Sequence, residues 1–258
     1  MMLDSSVWPV PSDMPGLSAD EVHVWCAAVD HEASLLDRLQ QLLSAEERAK
    51  ANRFRLPKAR AEFVVARGLL RIIVGRYLDT KPAYMQFRTG PHGKPALLAQ
   101  SGQAALRFNV SHSGGFILYA VSRQREVGVD LERICSELAV EDLAARFFSP
   151  RENAALLGLP KNRRGDGFFA CWTRKEAFLK AKGDGLSQPL DGFDVSLAPG
   201  EPAALLGSRS HARDVERWSI REVPSIPGYA GAVAGEGADW VLRCWSLRKG
   251  QPWTHVLG

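Results

Sequence analysis

Asp130 and Glu132 are two carboxylates separated by one residue in the stretch Val-Gly-Val-Asp-Leu-Glu. If this stretch is a β-strand, both side chains and Gly128 lie on one face, because successive side chains alternate between the two faces of a sheet. Carboxylates this close repel each other, and a divalent cation between them removes the repulsion. Oxygen ligands suit Mg²⁺. Until a third ligand is found, the polar face of an edge strand explains the pair equally well.

Glu176 and Lys180 supply a third carboxylate and an ammonium group. With Trp172 they are spaced four residues apart among apolar residues, which predicts one stripe of a helix spanning about 168–182. By itself this stripe is better explained by an exposed Glu–Lys pair, worth roughly a few tenths of a kcal/mol. The other motifs make it a candidate for chemistry.

Basic side chains occur where they could surround a phosphate group. Arg60, Arg67 and Arg71 fall on one stripe of a helix predicted to begin at Pro57. Solvated arginines explain each one singly at least as well. Further basic candidates are Lys50, Arg53, Lys94 and His112. With the three carboxylates, these groups suit a polyphosphate ligand whose oxygens are bridged by Mg²⁺ and whose developing charge is neutralised.

Composition limits the class of protein. The chain has 258 residues, 45% hydrophobic and 24% charged, which indicates one large globular domain or two smaller lobes. No apolar run could span a bilayer and no secretory signal is present, so we expect a cytoplasmic protein without membrane partners. Four widely spaced cysteines argue against zinc and give no reason to invoke disulfides. A net charge of +4 without a dense basic run favours phosphate ligands or acidic proteins over nucleic acid.

The elements that must position the site follow from local patterns. Ser44 and Ser149 begin capping boxes, each with a glutamate three residues later, and Gly183 ends the helix that carries Glu176. Short connectors predict an antiparallel meander of three strands, which would bring Ser111 and His112 to the edge where Asp130 lies. The predicted strands span 22–29, 106–110, 116–121, 127–132, 193–197, 218–223, 229–234 and 240–247.

The chain repeats itself weakly. A shift of about 105 residues superposes the first strand on 127–134, one capping box on the other, and Arg71 on Glu176. We interpret this as two similarly folded lobes, 1–124 and 125–258, with the active site at their interface because ligands favour such interfaces. The alternative is two ordinary α/β stretches matched by choice.

These motifs resemble those of the 4′-phosphopantetheinyl transferases, in the larger, surfactin-synthetase-activating type. The resemblance is carried by Val127-Gly-Val-Asp-Leu-Glu132 and Trp172-Thr-Arg-Lys-Glu-Ala-Phe-Leu-Lys180, and supporting matches cover most of the chain. It implies an α+β monomer of two pseudo-symmetric lobes, each an antiparallel sheet packed against helices, with coenzyme A and Mg²⁺ between them. It further implies transfer of phosphopantetheine to a serine of an acyl- or peptidyl-carrier protein, with release of adenosine 3′,5′-bisphosphate.

The resemblance also assigns roles by position. Asp130, Glu132 and Glu176 would hold Mg²⁺, and Lys180 and His112 would contact the pyrophosphate. Glu176 is our candidate for the base that accepts the serine proton, directly or through a water. The remaining candidates for binding coenzyme A are Lys50, Arg53, Arg67, Lys94 and Ser111.

Two positions depart from the family pattern, and two other functions remain open. Glu47 replaces a frequent basic residue and is explained as the capping-box acid, while Phe63 replaces a hydroxyl residue. A Mg²⁺-dependent nuclease or phosphodiesterase could use the same carboxylates, but it predicts Glu-x-Lys on a strand. A non-catalytic coenzyme A module would tolerate loss of a metal carboxylate, and all three are present.

Overall fold

The computed structural model describes residues 3–29, 33–90, 95–98, 106–183 and 188–247. Helices and strands alternate along the chain in a mixed α+β order. The helices are α1 (Ala33–Leu42), α2 (Ala45–Ala51), α3 (Pro57–Tyr77), α4 (Val140–Phe147), α5 (Pro150–Gly158), α6 (Arg164–Lys182) and α7 (Asp214–Arg217). The strands are β1 (Glu21–Ala28), β2 (Phe87–Thr89), β3 (Pro95–Leu97), β4 (Leu106–Ser113), β5 (Phe116–Arg123), β6 (Val127–Arg133), β7 (Phe193–Val195), β8 (Leu205–Ser208), β9 (Trp218–Glu222), β10 (Tyr229–Glu236) and β11 (Val241–Leu247).

Both capping boxes and the long helices form where the sequence predicts them. Ser44 and Ser149 each cap a helix through a reciprocal bond with the glutamate three residues on. Pro57 is the first residue of α3, where its missing N–H costs nothing. Gly183 ends α6 in the left-handed region, with φ of 78°. No helix in the described part of the chain is long and apolar enough to cross a membrane.

Two larger sheets organise the fold. One has the order β11-β1-β5-β4 and the other β6-β10-β9. β1 pairs antiparallel with β5 but parallel with β11, so the first sheet is mixed, whereas two antiparallel sheets were expected. Because β11 comes from the end of the described chain and lies in the sheet of the N-terminal half, the halves are interleaved. The division at residue 125 stays a prediction.

The predicted meander is correct for two strands and wrong for the third. β4 and β5 form a hairpin through Gly114 and Gly115, which have φ of 55° and 106° and so meet the demand of a two-residue turn for positive φ. β6 does not extend this hairpin but pairs antiparallel with β10. The reason is that both edges of β5 are already used, by β4 and by β1.

The chain is layered as helices, sheet, sheet and helix. One face of β1 carries Trp25, which belongs to an apolar cluster shared with α3. The other face carries Val24, which packs with Val129 of β6 in a cluster between the two sheets. The outer face of the second sheet packs on α6, through Ala232 and Phe178. Both sheets therefore bury both faces.

A ladder of side chains joins β4 to β6 where the two sheets meet. Asn109 Oδ1 accepts the Val129 N–H at 2.9 Å and Ser111 Oγ accepts the Leu131 N–H at 3.3 Å. The next polar side chain along β4, from Ser113, accepts an N–H of β6 at 3.1 Å in the same way. Polar residues at every second position of β4 thus take the place of a partner strand's carbonyls and satisfy the edge of β6.

Gly128 sets the distance between β6 and α6. A Cβ at this position would lie 2.2 Å from Ala177 O and 2.3 Å from Ala181 N, so only glycine permits the backbone of α6 to lie directly on the strand. This close contact brings the last turns of α6 to the carboxylates of β6.

We expect Gly128→Ala to lower the free energy of unfolding by about 1–3 kcal/mol, because backbone atoms of α6 must move to admit the methyl group. Gly165→Ala is the matched control: Gly165 lies on α6, and a Cβ at this position would meet no atom within 4 Å. Urea unfolding of both variants measures the difference. Equal stabilities would contradict the close contact.

Asn109→Ala should cost about 1–3 kcal/mol of stability, because it leaves the buried Val129 N–H without an acceptor. Ser113→Ala removes the equivalent bond at the exposed end of the ladder, where water can replace it, and should cost less. Thermal and urea unfolding compare the two variants. A larger cost for Ser113→Ala would show that the ladder does not support β6 in the way described.

Candidate functional site

Asp130 is the centre of the predicted site and is 2% exposed. Its Oδ1 accepts hydrogen bonds from Ser111 Oγ at 2.9 Å and from Lys180 Nζ at 2.5 Å. Lys180 also donates to Ser111 Oγ at 3.3 Å. Within the described part of the chain, Asp130 Oδ2 has no hydrogen-bond partner although it is buried. Residues from β4, β6 and α6 therefore converge on one carboxylate, and one of its oxygens remains available to a ligand.

Glu132 and Glu176 lie beside Asp130 and interact with it electrostatically. Glu132 follows Asp130 on the same face of β6 and accepts a hydrogen bond from Ser113 Oγ at 2.8 Å. Glu176 lies one turn before Lys180 on α6 and is half-buried. Burial raises the pKa of Glu176, and the charges of Asp130 and Glu132 raise it further, while Lys180 opposes the shift. All three carboxylates thus share one poorly hydrated region.

Burial dominates the electrostatics of the other two acids as well. It raises the pKa of Asp130 despite the favourable charge and hydrogen bond of Lys180. Burial also raises the pKa of Glu132, and the charge of Asp130 raises this pKa further. The hydrogen bond from Ser113 and the nearby His112 lower it. Three acids that are harder to ionise than usual, close together, form a site that a cation would stabilise.

The donor set fits a hard divalent cation, although the described residues contain no group of three or more His, Cys, Asp or Glu side chains already arranged around a metal position. Three carboxylates supply oxygen ligands, which Mg²⁺ prefers, and Asp130 Oδ2 is buried and unpartnered. Asp130 Oδ1 is bonded to the Lys180 ammonium group, which balances part of the negative charge.

The basic residues predicted for phosphate binding have different surroundings. Lys180 and Ser111 lie at Asp130, and His112 is exposed near Glu132. Lys50 is exposed over the ring of Phe63, with 5.4 Å from Nζ to the ring centroid. The structure thus brings Ser111 and Lys180 to Asp130, and it records no contact of Lys50 with that carboxylate.

Arg67 and Arg71 differ from the expected basic stripe. Arg71 is 1% exposed, and both arginines bond to Glu47, at 2.6 Å from Arg67 Nε and 2.7 Å from Arg71 Nε. Arg71 is therefore a structural residue, which corrects the prediction of three arginines facing a phosphate. Arg53 is exposed, and Lys94 lies outside the described residues.

Sequence reasoning missed several residues that support the site. Ser113 holds Glu132, Asn109 holds the backbone of β6, and Lys175 lies wholly buried next to Glu176. The alternation of Asn109, Ser111 and Ser113 along β4 was visible in the sequence and could have indicated a polar ladder. Nothing in the sequence marked Lys175 as buried, because its partner Glu152 is distant along the chain.

Trp172 and the residues around it show how α6 is anchored. Its ring lies 5.9 Å from Phe168 in a stacked arrangement and 5.9 Å from Phe147 in a T-shaped one. Trp172 is half-buried. Glu176 and Lys180 lie on a helix, as predicted, and not on a strand, as the nuclease hypothesis requires.

The chain is similar to known proteins over most of its length. Residues 126–234 match the model of the 4′-phosphopantetheinyl transferase superfamily, and residues 29–124 match that of the 4′-phosphopantetheinyl transferase N-terminal region. The 4′-phosphopantetheinyl transferase HetI of a Nostoc species is 39% identical over 95% of this chain and 99% of its own length. The 4′-phosphopantetheinyl transferase Sfp of Bacillus subtilis is 30% identical over 79% of this chain and 87% of its own length.

The protein is therefore an enzyme of the transferase class. It belongs to the family of 4′-phosphopantetheinyl transferases. This confirms the resemblance drawn from the strand and helix motifs.

The raised pKa values predict a pH-dependent loss of stability. In EDTA, the folded state holds more protons than the unfolded state between the ordinary glutamate pKa of 4.5 and the raised folded value. Stability should therefore fall as pH rises through this window. Glu176→Gln removes one contributor and should lose less stability, as urea unfolding at several pH values would measure. Glu137→Gln, at an exposed carboxylate, is the control and should follow the wild type.

Proposed function

We propose that this enzyme transfers the 4′-phosphopantetheine group of coenzyme A to a serine hydroxyl of an apo acyl- or peptidyl-carrier protein, in a Mg²⁺-dependent reaction that releases adenosine 3′,5′-bisphosphate. The observation that carries the proposal is the convergence of Ser111 and Lys180 on the buried Asp130, with Glu132 and Glu176 beside it. In a family whose substrate is coenzyme A, such a site suits the pyrophosphate.

Asp130, Glu132 and Glu176 would hold Mg²⁺. When bound, the ion neutralises charge on the phosphate oxygens and stabilises the charge that develops during displacement. The ladder from β4 fixes the two β6 carboxylates, since Ser111 bonds to Asp130 and Ser113 to Glu132. These hydrogen bonds from the two serines orient the carboxylate oxygens of Asp130 and Glu132 before any ligand binds.

Lys180 and His112 would contact the pyrophosphate oxygens. Lys180 is already close to Asp130 and can turn its ammonium group to a phosphate from the same helical position. Ser111, Lys50, Arg53, Arg67 and Lys94 are the proposed contacts with the rest of coenzyme A. Arg67 retains exposed surface beside its bond to Glu47 and lies 4.8 Å over the Phe87 ring, so its planar group is held in one orientation.

The transfer step follows from these positions. The carrier serine oxygen attacks the phosphorus that bears the pantetheine, a new P–O bond forms, and the bond to the bridging oxygen breaks. The electron pair of that bond leaves on adenosine 3′,5′-bisphosphate, whose added charge is neutralised by Lys180 and His112. Glu176 accepts the serine proton, because it is the half-buried acid of α6 that lies beside Asp130.

The larger arrangement belongs to the same proposal. Coenzyme A would bind between the halves 1–124 and 125–258, and the enzyme would act as a cytoplasmic monomer. The cluster of Val24, Leu118, Val129 and Val233 between the two sheets supports a site between the halves, because it packs the two halves against each other.

The test is to incubate the protein with MgCl₂, coenzyme A and apo carrier proteins of several pathways, and to weigh each carrier by mass spectrometry. We expect the carrier to gain the mass of phosphopantetheine, and EDTA to prevent the gain. Glu176→Gln should abolish transfer while coenzyme A still binds, because the basic contacts remain. Glu137→Gln is the matched control and should transfer normally. No mass gain on any carrier would sink the proposed function.

A further inference from the structure

A buried ion pair lies on the side of α6 opposite the candidate site. The backbone of α6 touches Gly128 through Ala177, Lys180 and Ala181. At about 100° per residue, Lys175 projects roughly half a turn away from that contact line. Lys175 is 0% exposed, and its Nζ lies 2.8 Å from Glu152 Oε1. The helix is therefore held from both sides.

Every polar atom of this pair has a partner. Lys175 Nζ donates to the carbonyls of Leu190 and Phe193, both at 2.6 Å, and to Glu152, and it lies 4.2 Å over the Phe193 ring. Glu152 also accepts the Val195 N–H at 2.8 Å and the N–H of its helix cap at 2.9 Å. We call Glu152, Lys175 and the two carbonyls the C-terminal clamp.

The N-terminal half contains the same arrangement. Arg71 bonds to the capping-box acid Glu47 at 2.7 Å and donates to the carbonyls of Pro82 and Met85, both at 2.9 Å. In both halves the two carbonyls are three residues apart: the first belongs to the first residue of a 3₁₀ turn and the second to the residue after that turn. We call this group the N-terminal clamp. Arg71 thus corresponds to Lys175 and not to Glu176, which corrects the alignment of the long helices by one residue and leaves that of the capping boxes unchanged.

The corrected alignment separates the scaffold from the chemistry. The residue after Arg71 is Ile72, which is buried in the apolar core, whereas the residue after Lys175 is Glu176. Both halves therefore use a clamp to fix the long helix, and only the second has a carboxylate next to it. Stability alone is a weak reason for a wholly buried ion pair, because apolar replacements are often neutral or stabilising.

We infer that Glu152 and Lys175 are positioning residues: the C-terminal clamp fixes the rotation of α6 and so places Glu176 and Lys180 against Asp130. The contact at Gly128 sets how near the helix lies, and the clamp adds a fixed point on the opposite side. The inference rests on the proposed function, since it concerns the residues assigned there to Mg²⁺ and phosphate.

The test compares Lys175→Met with Arg71→Met, which remove the cation of one clamp each. Thermal unfolding measures the loss of stability, and calorimetric titration with MgCl₂ measures the metal affinity. Steady-state kinetics give KM, and they give kcat when the rate is divided by the concentration of folded protein. We expect both variants to be destabilised. Only Lys175→Met should lose Mg²⁺ affinity and kcat, each by about 10–100-fold, with the KM for the carrier protein unchanged.

A second variant keeps the test decisive if Lys175→Met does not fold. Glu152→Gln/Lys175→Met removes both charges and leaves no unpaired buried carboxylate, and it should show the same loss. Folded clamp variants that bind MgCl₂ and turn over like the wild type would overturn the inference and leave the proposed function intact. If the wild type transfers nothing, the proposed function fails, while its Mg²⁺ affinity still tests the clamp. A wild type that does not bind MgCl₂ overturns both.

Discussion

The hydrogen bonds that β6 N–H groups donate to side chains of β4 are the constraint on which the site depends. Asn109, Ser111 and Ser113 accept the N–H groups on the free edge of β6. Because of these bonds, β6 can be the edge strand of the second sheet without leaving those N–H groups unpaired. The same serines hold the two carboxylates of β6. One set of short polar side chains therefore joins the sheets and orients the acids, so fold and site share their contacts.

The electrostatic arrangement opposes folding and favours ligand binding. Three carboxylates with raised pKa values are kept close by a packed interior that would be more stable without them. Lys180 offsets part of the repulsion at Asp130. The apolar clusters on the two faces of the second sheet offset this unfavourable free energy. A bound cation with its phosphate ligand would remove the repulsion and so stabilise the folded protein.

Much of this could be predicted from the sequence, and the failures share a cause. Local patterns gave the capping boxes and α6, because spacing within an element fixes which face each side chain occupies. Ser111 was expected near Asp130 from a meander whose third strand instead pairs with β10, and Lys180 was assigned to the site only by the resemblance. The pairing of β6 with β10 and the burial of Arg71 and Lys175 depend on partners far along the chain. A basic stripe has the same pattern whether its arginines meet phosphate, water or a glutamate 24 residues away.

The parallel pairing of β1 with β11 has a consequence for synthesis in the cell. β1 begins at Glu21, and its outer neighbour is not complete until Leu247 has been made. The first sheet therefore lacks its fourth strand while the ribosome is still translating the second half. Until then the edge of β1 stays unpaired, because its partner is very far along the chain. Folding of this enzyme is accordingly expected to be slow and mainly post-translational, with the unpaired edge as the point at which a chaperone would be needed.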